Sequence, residues 1–145
     1  MTGLPKTLLG FDYGTKRIGI AVGQSITHSA SPLTTLTSVN DQPDWDSISK
    51  LIQEWKPDAL VLGLPVNADG SASDVTRRVQ RFGNQLQGRY NLPVHTIDER
   101  LSSVKAENHL AQSSQGKQQR ARYAKADVDK IAAAVILESW FASQA

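Results

Sequence analysis

Leu8-Leu9-Gly10-Phe11-Asp12-Tyr13-Gly14-Thr15-Lys16-Arg17-Ile18-Gly19-Ile20-Ala21-Val22 is the stretch around which the chain is arranged. Two apolar, strand-like runs flank a short turn carrying Gly14, Thr15 and Lys16, which is the pattern of a β-hairpin. Asp12 sits at the end of the first run. A carboxylate there needs a reason, because burying an unpaired charge is costly. Two readings are open. Asp12 is a turn residue that hydrogen-bonds nearby backbone, or it is a metal ligand or catalytic acid. The hairpin alone does not choose between them.

Outward from the hairpin, Ser31–Val39 supplies a third strand, with Pro32 near its start. Strand and helix then alternate. Pro43 suits the first turn of a helix, and Ile48, Leu51, Ile52 and Trp55 fall at i, i+3, i+4 and i+7 along it. Pro57 ends that helix. Ala59–Leu64 is apolar at every position, as in a parallel strand covered on both faces. Residues 65–70 form a loop, and Ser71 with Asp74 has capping-box spacing. Val75, Val79, Phe82 and Leu86 make a second helical stripe, with Arg77, Arg78 and Arg81 mostly on the other side. Those arginines read as a solvated face or, less simply, as phosphate contacts. Val94–Ile97 is a further strand, followed at once by Asp98-Glu99-Arg100. Ser102 or Ser103 caps a short helix to about Leu110. Residues 111–125 are polar, with little to bury. A last helix runs from about Asp127 to Phe141, and Met1–Lys6 reads as a loose tail.

The 145 residues fit one domain, and 39% hydrophobic residues suffice for a packed core. The absence of cysteine excludes a disulfide framework, a thiolate nucleophile and a Cys-ligated zinc site. No apolar run approaches a membrane span and no signal-peptide core is visible, so a soluble cytoplasmic protein without a membrane partner is expected. A net charge of +2 permits a nucleic-acid partner without requiring one. Nothing fixes an oligomeric state beyond monomer or weak dimer.

A three-strand meander followed by strand–helix crossovers gives an α/β fold with a mixed sheet of five strands. Sites in such sheets lie beyond the carboxyl ends of the parallel strands. Asp12 ends the first strand and Glu99 follows the last, so the two converge if their strands run parallel. The final helix offers Asp127, Asp129 and Glu138. Residues two apart do not share a helix face. Asp129 lies with Ala132, Ala133, Ile136 and Trp140 on the apolar side. Asp127 lies with Lys130, Ala134 and Glu138 on the wetter one, where a first-turn carboxylate favours the helix dipole. Asp129 is therefore either paired with an arginine or lysine or bound to metal. With Asp12 and Glu99 beside it, three hard oxygen donors suit Mg²⁺ or Mn²⁺ rather than zinc, and such ions serve phosphoryl chemistry. His28, His95 and His109 are scattered and read as surface or strand residues. Lys16, Arg17 and Arg100 flank the acids as candidate nucleic-acid contacts.

Asp12-Tyr13-Gly14-Thr15-Lys16-Arg17-Ile18-Gly19, Gly63-Leu64-Pro65, Asp69-Gly70, Asp98-Glu99-Arg100-Leu101-Ser102 and Asp129-Lys130-Ile131-Ala132-Ala133 together resemble the YqgF (RuvX) family. The resemblance implies a ribonuclease H-like three-layer fold related to RuvC Holliday junction resolvases. It implies a nuclease that matures the 5′ end of pre-16S ribosomal RNA in the bacterial cytoplasm, with an acidic site at Asp12, Glu99 and Asp129. Branched DNA is the alternative substrate. Two other readings compete. The Asp-Xaa-Gly-Thr hairpin also resembles the phosphate loop of actin-like ATPases and sugar kinases, which need two domains. A non-catalytic domain that binds RNA or a transcription or ribosome-assembly partner would keep the acids as a relic or for fold stability.

Overall fold

The computed structural model describes residues 6–65, 73–98 and 125–144, with side chains from residue 128 onward in the last segment. Five strands form one mixed sheet in the order β3-β2-β1-β4-β5. They are β1 (Thr7–Tyr13), β2 (Arg17–Gln24), β3 (Ser29–Thr37), β4 (Ala59–Leu64) and β5 (Val94–Asp98). The helices are α1 (Trp45–Trp55), α2 (Asp74–Tyr90) and α3 (Lys125–Ser143). The hairpin and meander are antiparallel, whereas β1, β4 and β5 lie side by side and parallel. This is the expected α/β arrangement.

The sheet separates two cores. On one face Leu9, Phe11, Ile18, Ile20, Leu60 and Leu62 pack with Ile48 of α1 and with Val79, Phe82 and Leu86 of α2. On the other, Leu8, Ala21, Ala59 and Val61 pack under Ala133, Ile136, Leu137, Trp140 and Phe141 of α3. The strictly alternating side chains of β1 explain the division: Leu8 and Gly10 face α3, while Leu9 and Phe11 face α2. Both faces of β4 are covered, which is why that strand is apolar throughout.

Several boundaries differ from the sequence expectations. Strand β3 starts at Ser29 and ends at Thr37, and Pro32 lies within it. The strand tolerates proline because it is the sheet edge, and the register shifts between Ile20 and Ala21 opposite this point. Pro43 precedes α1 instead of entering it. Asp44 is the cap, its Oδ1 accepting from the Ser47 N–H (3.1 Å) and its Oδ2 from the Ser47 hydroxyl (2.7 Å). Helix α2 is capped by Ser73 rather than Ser71. Ser73 and Thr76 make the reciprocal capping box, with Thr76 in the place of the usual glutamate, and the Thr76 hydroxyl also donates to the Pro65 carbonyl. Val75 is half exposed, so the buried stripe of α2 runs through Thr76, Val79, Phe82, Gly83 and Leu86. Lys6 belongs to the fold: its N–H donates to Asp58 Oδ2 (3.0 Å). The expected helix near 102–110 and the polar stretch up to residue 124 lie outside the described residues. Among the described residues, no helix is long and apolar enough to cross a membrane.

Candidate metal centre

Glycines let α3 lie directly on the hairpin. A Cβ at Gly10 would come within 3.0 Å of the Ala133 carbonyl, and one at Gly23 within 3.0 Å of the Phe141 ring. A Cβ at Gly19 would collide with the carbonyl of Asp129. Gly19 is the cross-strand partner of Asp12. Asp12 follows Leu8 and Gly10 in the alternation that faces α3, and it is partly buried. The end of β1 and the start of α3 therefore lie over one cross-strand pair: the Asp129 backbone packs on Gly19, and Asp12 stands beside Gly19 on the same face.

Asp129 is on the inward side, its side chain 25% exposed. Its Oδ2 accepts from the Arg17 Nε at 2.8 Å. Arg17, expected as a nucleic-acid contact, thus spends its Nε on the acid. The same strand parity that turns Gly19 and Ala21 toward α3 brings Arg17 to that face. Of the two readings for Asp129, the arginine pair is present. Ala134, assigned to the wetter side of the last helix, is buried at 4% exposure, because α3 is covered well beyond a single stripe. Glu138 is exposed, and the side chain of Asp127 lies outside the described residues.

Lys16 sits exposed in the hairpin turn, where its carbonyl accepts from the Ser38 N–H (2.9 Å). Glu99 and Arg100 lie outside the described residues. The strand that leads to them, β5, ends at Asp98 opposite Leu64, parallel to β4 and with β1 beyond it. Among the described residues, no group of three potential ligands forms a ready metal cluster. The donor chemistry of Asp12 and Asp129 nonetheless fits a hard divalent cation, being all oxygen. His28 stacks on Phe141 (5.6 Å between centroids) and His95 lies against Trp140 (5.1 Å), so both pack on α3 as ring contacts. His109 is outside the described residues.

Sequence reasoning did not find the cavity on the opposite face of β1, between Tyr13, the turn before α1 and α2. Its only advance signal was the spacing of Arg78 and Arg81.

The order of strands and helices is that of the ribonuclease H-like resolvase fold. Over 96% of its length the chain superposes on the fowlpox virus Holliday junction resolvase, covering 99% of that chain (TM-score 0.57, 14% identity). It superposes equally broadly on Thermus thermophilus RuvC in complex with Holliday junction substrate, covering 95% of that chain (TM-score 0.55, 12% identity). At such identities the likeness is one of fold. The RuvX family, described as Holliday junction resolvase, matches residues 6–143. A relative from Azotobacter vinelandii is 49% identical over 141 residues, 97% of this chain and 96% of its own. One from Pseudomonas putida is 51% identical over 136 residues, 93% and 94% of the two chains. Both carry the name "Putative pre-16S rRNA nuclease". The chain belongs to the RuvX family.

Proposed function

We propose that this protein is a cytoplasmic, divalent-metal-dependent nuclease that trims the 5′ end of precursor 16S ribosomal RNA during ribosome biogenesis. In this reading residues 1–145 are one domain, acting as a monomer or weak dimer. The packing of the Asp129 backbone on Gly19, the cross-strand partner of Asp12, carries the reading. The names of the relatives support the RNA substrate.

Asp12, Glu99 and Asp129 would hold Mg²⁺ or Mn²⁺. When bound, such ions supply an activated water and stabilise the leaving oxygen of a phosphodiester. For Glu99, support comes from its place in the sequence directly after β5, which runs parallel to β4 and ends at Asp98. Arg17 orients Asp129 by holding its Oδ2 and serves a phosphate through its terminal amino groups. Lys16, exposed at the turn, and Arg100 add positive charge where the backbone passes.

The test compares wild type with Asp12→Asn on a precursor 16S 5′ segment and on a four-way DNA junction, each with Mg²⁺. We expect the RNA to be cut and the variant to be slower by about 100-fold or more, as for loss of one pre-organised charged group. Unchanged cleavage by the variant rejects the mechanism. Cutting of the junction with the RNA left intact reassigns the substrate to branched DNA, as the family description would have it.

A further inference from the structure

A cavity of about 270 Å³ opens at the carboxyl end of β1 on the face opposite Asp12, lined by Tyr13, Asp41, Gln42, Arg78, Arg81 and Gln85. Two of its walls are held by contacts within the fold. The Val39–Gln42 turn closes with two backbone hydrogen bonds (3.1 and 3.0 Å). Asn40 and Asp41 both have positive φ (52° and 60°), which makes it the tight two-residue turn that Asn and Asp tolerate. Tyr13 packs on Phe82 at 4.8 Å between centroids, and Phe82 in turn contacts Trp45 at 5.6 Å.

The opposite wall is one helix stripe: Arg78, Arg81 and Gln85 fall at i, i+3 and i+7 of α2. Other arginines of this helix are engaged. Arg77 pairs with Asp74 at 2.9 Å, and Arg89 lies 4.1 Å over the Trp45 ring. Among the described residues, Arg78 and Arg81 have neither an ion-pair nor a hydrogen-bond partner. Two guanidinium groups directed at one cavity suit a phosphate, which they grip through paired N–H donors. A half-buried tyrosine ring suits a base. Asp41 is a pure acceptor and would repel phosphate, so its partner must be a donor; a ribose 2′-hydroxyl is one that DNA lacks. The volume lies just below the roughly 300–1,000 Å³ of small-ligand sites, which admits one nucleotide and no duplex.

We infer that this cavity is a subsite for a single unpaired ribonucleotide of the substrate strand. Arg78 and Arg81 hold its phosphate, Tyr13 stacks with its base and Asp41 accepts from its 2′-hydroxyl. Because Tyr13 directly follows Asp12, a strand seated here is delivered to the cutting site over the end of β1. The inference rests on the nuclease reading and adds to it a reason to prefer single-stranded RNA over DNA.

The experiment is fluorescence anisotropy with a labelled, unstructured RNA hexamer in EDTA, its DNA counterpart and free AMP as competitor, using the full chain. We expect tighter binding of RNA than of DNA and a loss of about 10–100-fold for Arg78→Gln/Arg81→Gln, the scale of a bidentate contact. Asp41→Asn should bind RNA but no longer favour it. Both arginines are exposed, so the melting temperature should hold. Binding by the double variant within twofold of wild type overturns the subsite. So does an Asp41→Asn protein that keeps the RNA preference, or AMP competing as well as the hexamer, which would mark a free-nucleotide site. Asp12→Asn separates the two readings: it should bind the hexamer normally, and if it also cleaves normally the nuclease reading falls while the binding result stands.

Discussion

At the scale of single residues, the inward side of Asp129 was legible in the sequence. A helix repeats every 3.6 residues, so only one of two acids two apart can share the side of Ala133 and Ile136. Arg17 was not legible in the same way. Its position beside the turn suggested a phosphate contact, but strand parity delivers it to Asp129, 112 positions away in sequence. The pair is about one-third exposed on the arginine side (35%), so its net contribution is small, at most about 1 kcal/mol. Arg17→Gln should therefore lower the melting temperature by no more than about 4 °C without divalent ions. Removing the competing guanidinium should make the rise in melting temperature on adding Mg²⁺ larger than in wild type. Thermal melts with and without Mg²⁺ check this, and equal rises would separate Arg17 from the metal centre.

At the scale of elements, the strands and helices follow from periodicity, whereas their ends follow from individual side chains that compete for backbone donors. Ser71 and Ser73 are both plausible caps by spacing; Ser73 wins because Thr76 answers it and also reaches the Pro65 carbonyl. Helix α1 is held at its start by Asp44, and hydrogen bonds from the Ser47 hydroxyl and the Ser47 N–H hold its carboxyl below the ordinary 3.8, against a small opposing effect of burial. A depressed carboxylate stabilises the fold above its unfolded value and loses that contribution as pH falls through the folded one. Asp44→Ala should cost about 1 kcal/mol near neutral pH, or roughly 3 °C. The gap between the two melting curves should stay constant above about pH 5 and close as the pH drops below 3.8. A gap that persists at pH 2 would mean that the cap acts through something other than its charge.

At the scale of the whole molecule, the position of Asp129 depends on how closely α3 approaches the sheet. Gly10, Gly19 and Gly23 remove the side chains that would hold the helix away. A methyl at Gly19 meets the Asp129 carbonyl, which is backbone and cannot rotate aside. Gly19→Ala should cost about 1–3 kcal/mol by overpacking and reduce cleavage by up to about 100-fold by displacing Asp129. Gly88→Ala is the matched control. Nothing lies within 4 Å of its Cβ position, and an alanine in the helix should raise stability by about 0.5–1 kcal/mol. Urea titrations and a cleavage assay on both variants give the comparison; equal activity in the two would show that the helix is not what positions the acid.

The amino-acid sequence by itself determined the alternation of elements, the two-sided burial of β4 and the hairpin with Asp12 at its end, because each is a matter of local period and backbone preference; the last helix, buried well beyond one stripe, was only partly legible. Only the tertiary structure decided that the Asp129 backbone packs on Gly19 beside Asp12, that Arg17 grips Asp129, and that Tyr13, Asp41, Arg78 and Arg81 border one cavity. Those relations depend on strand order and on the distance between layers, and both are set by the packing of the entire core rather than by any neighbouring residues along the chain.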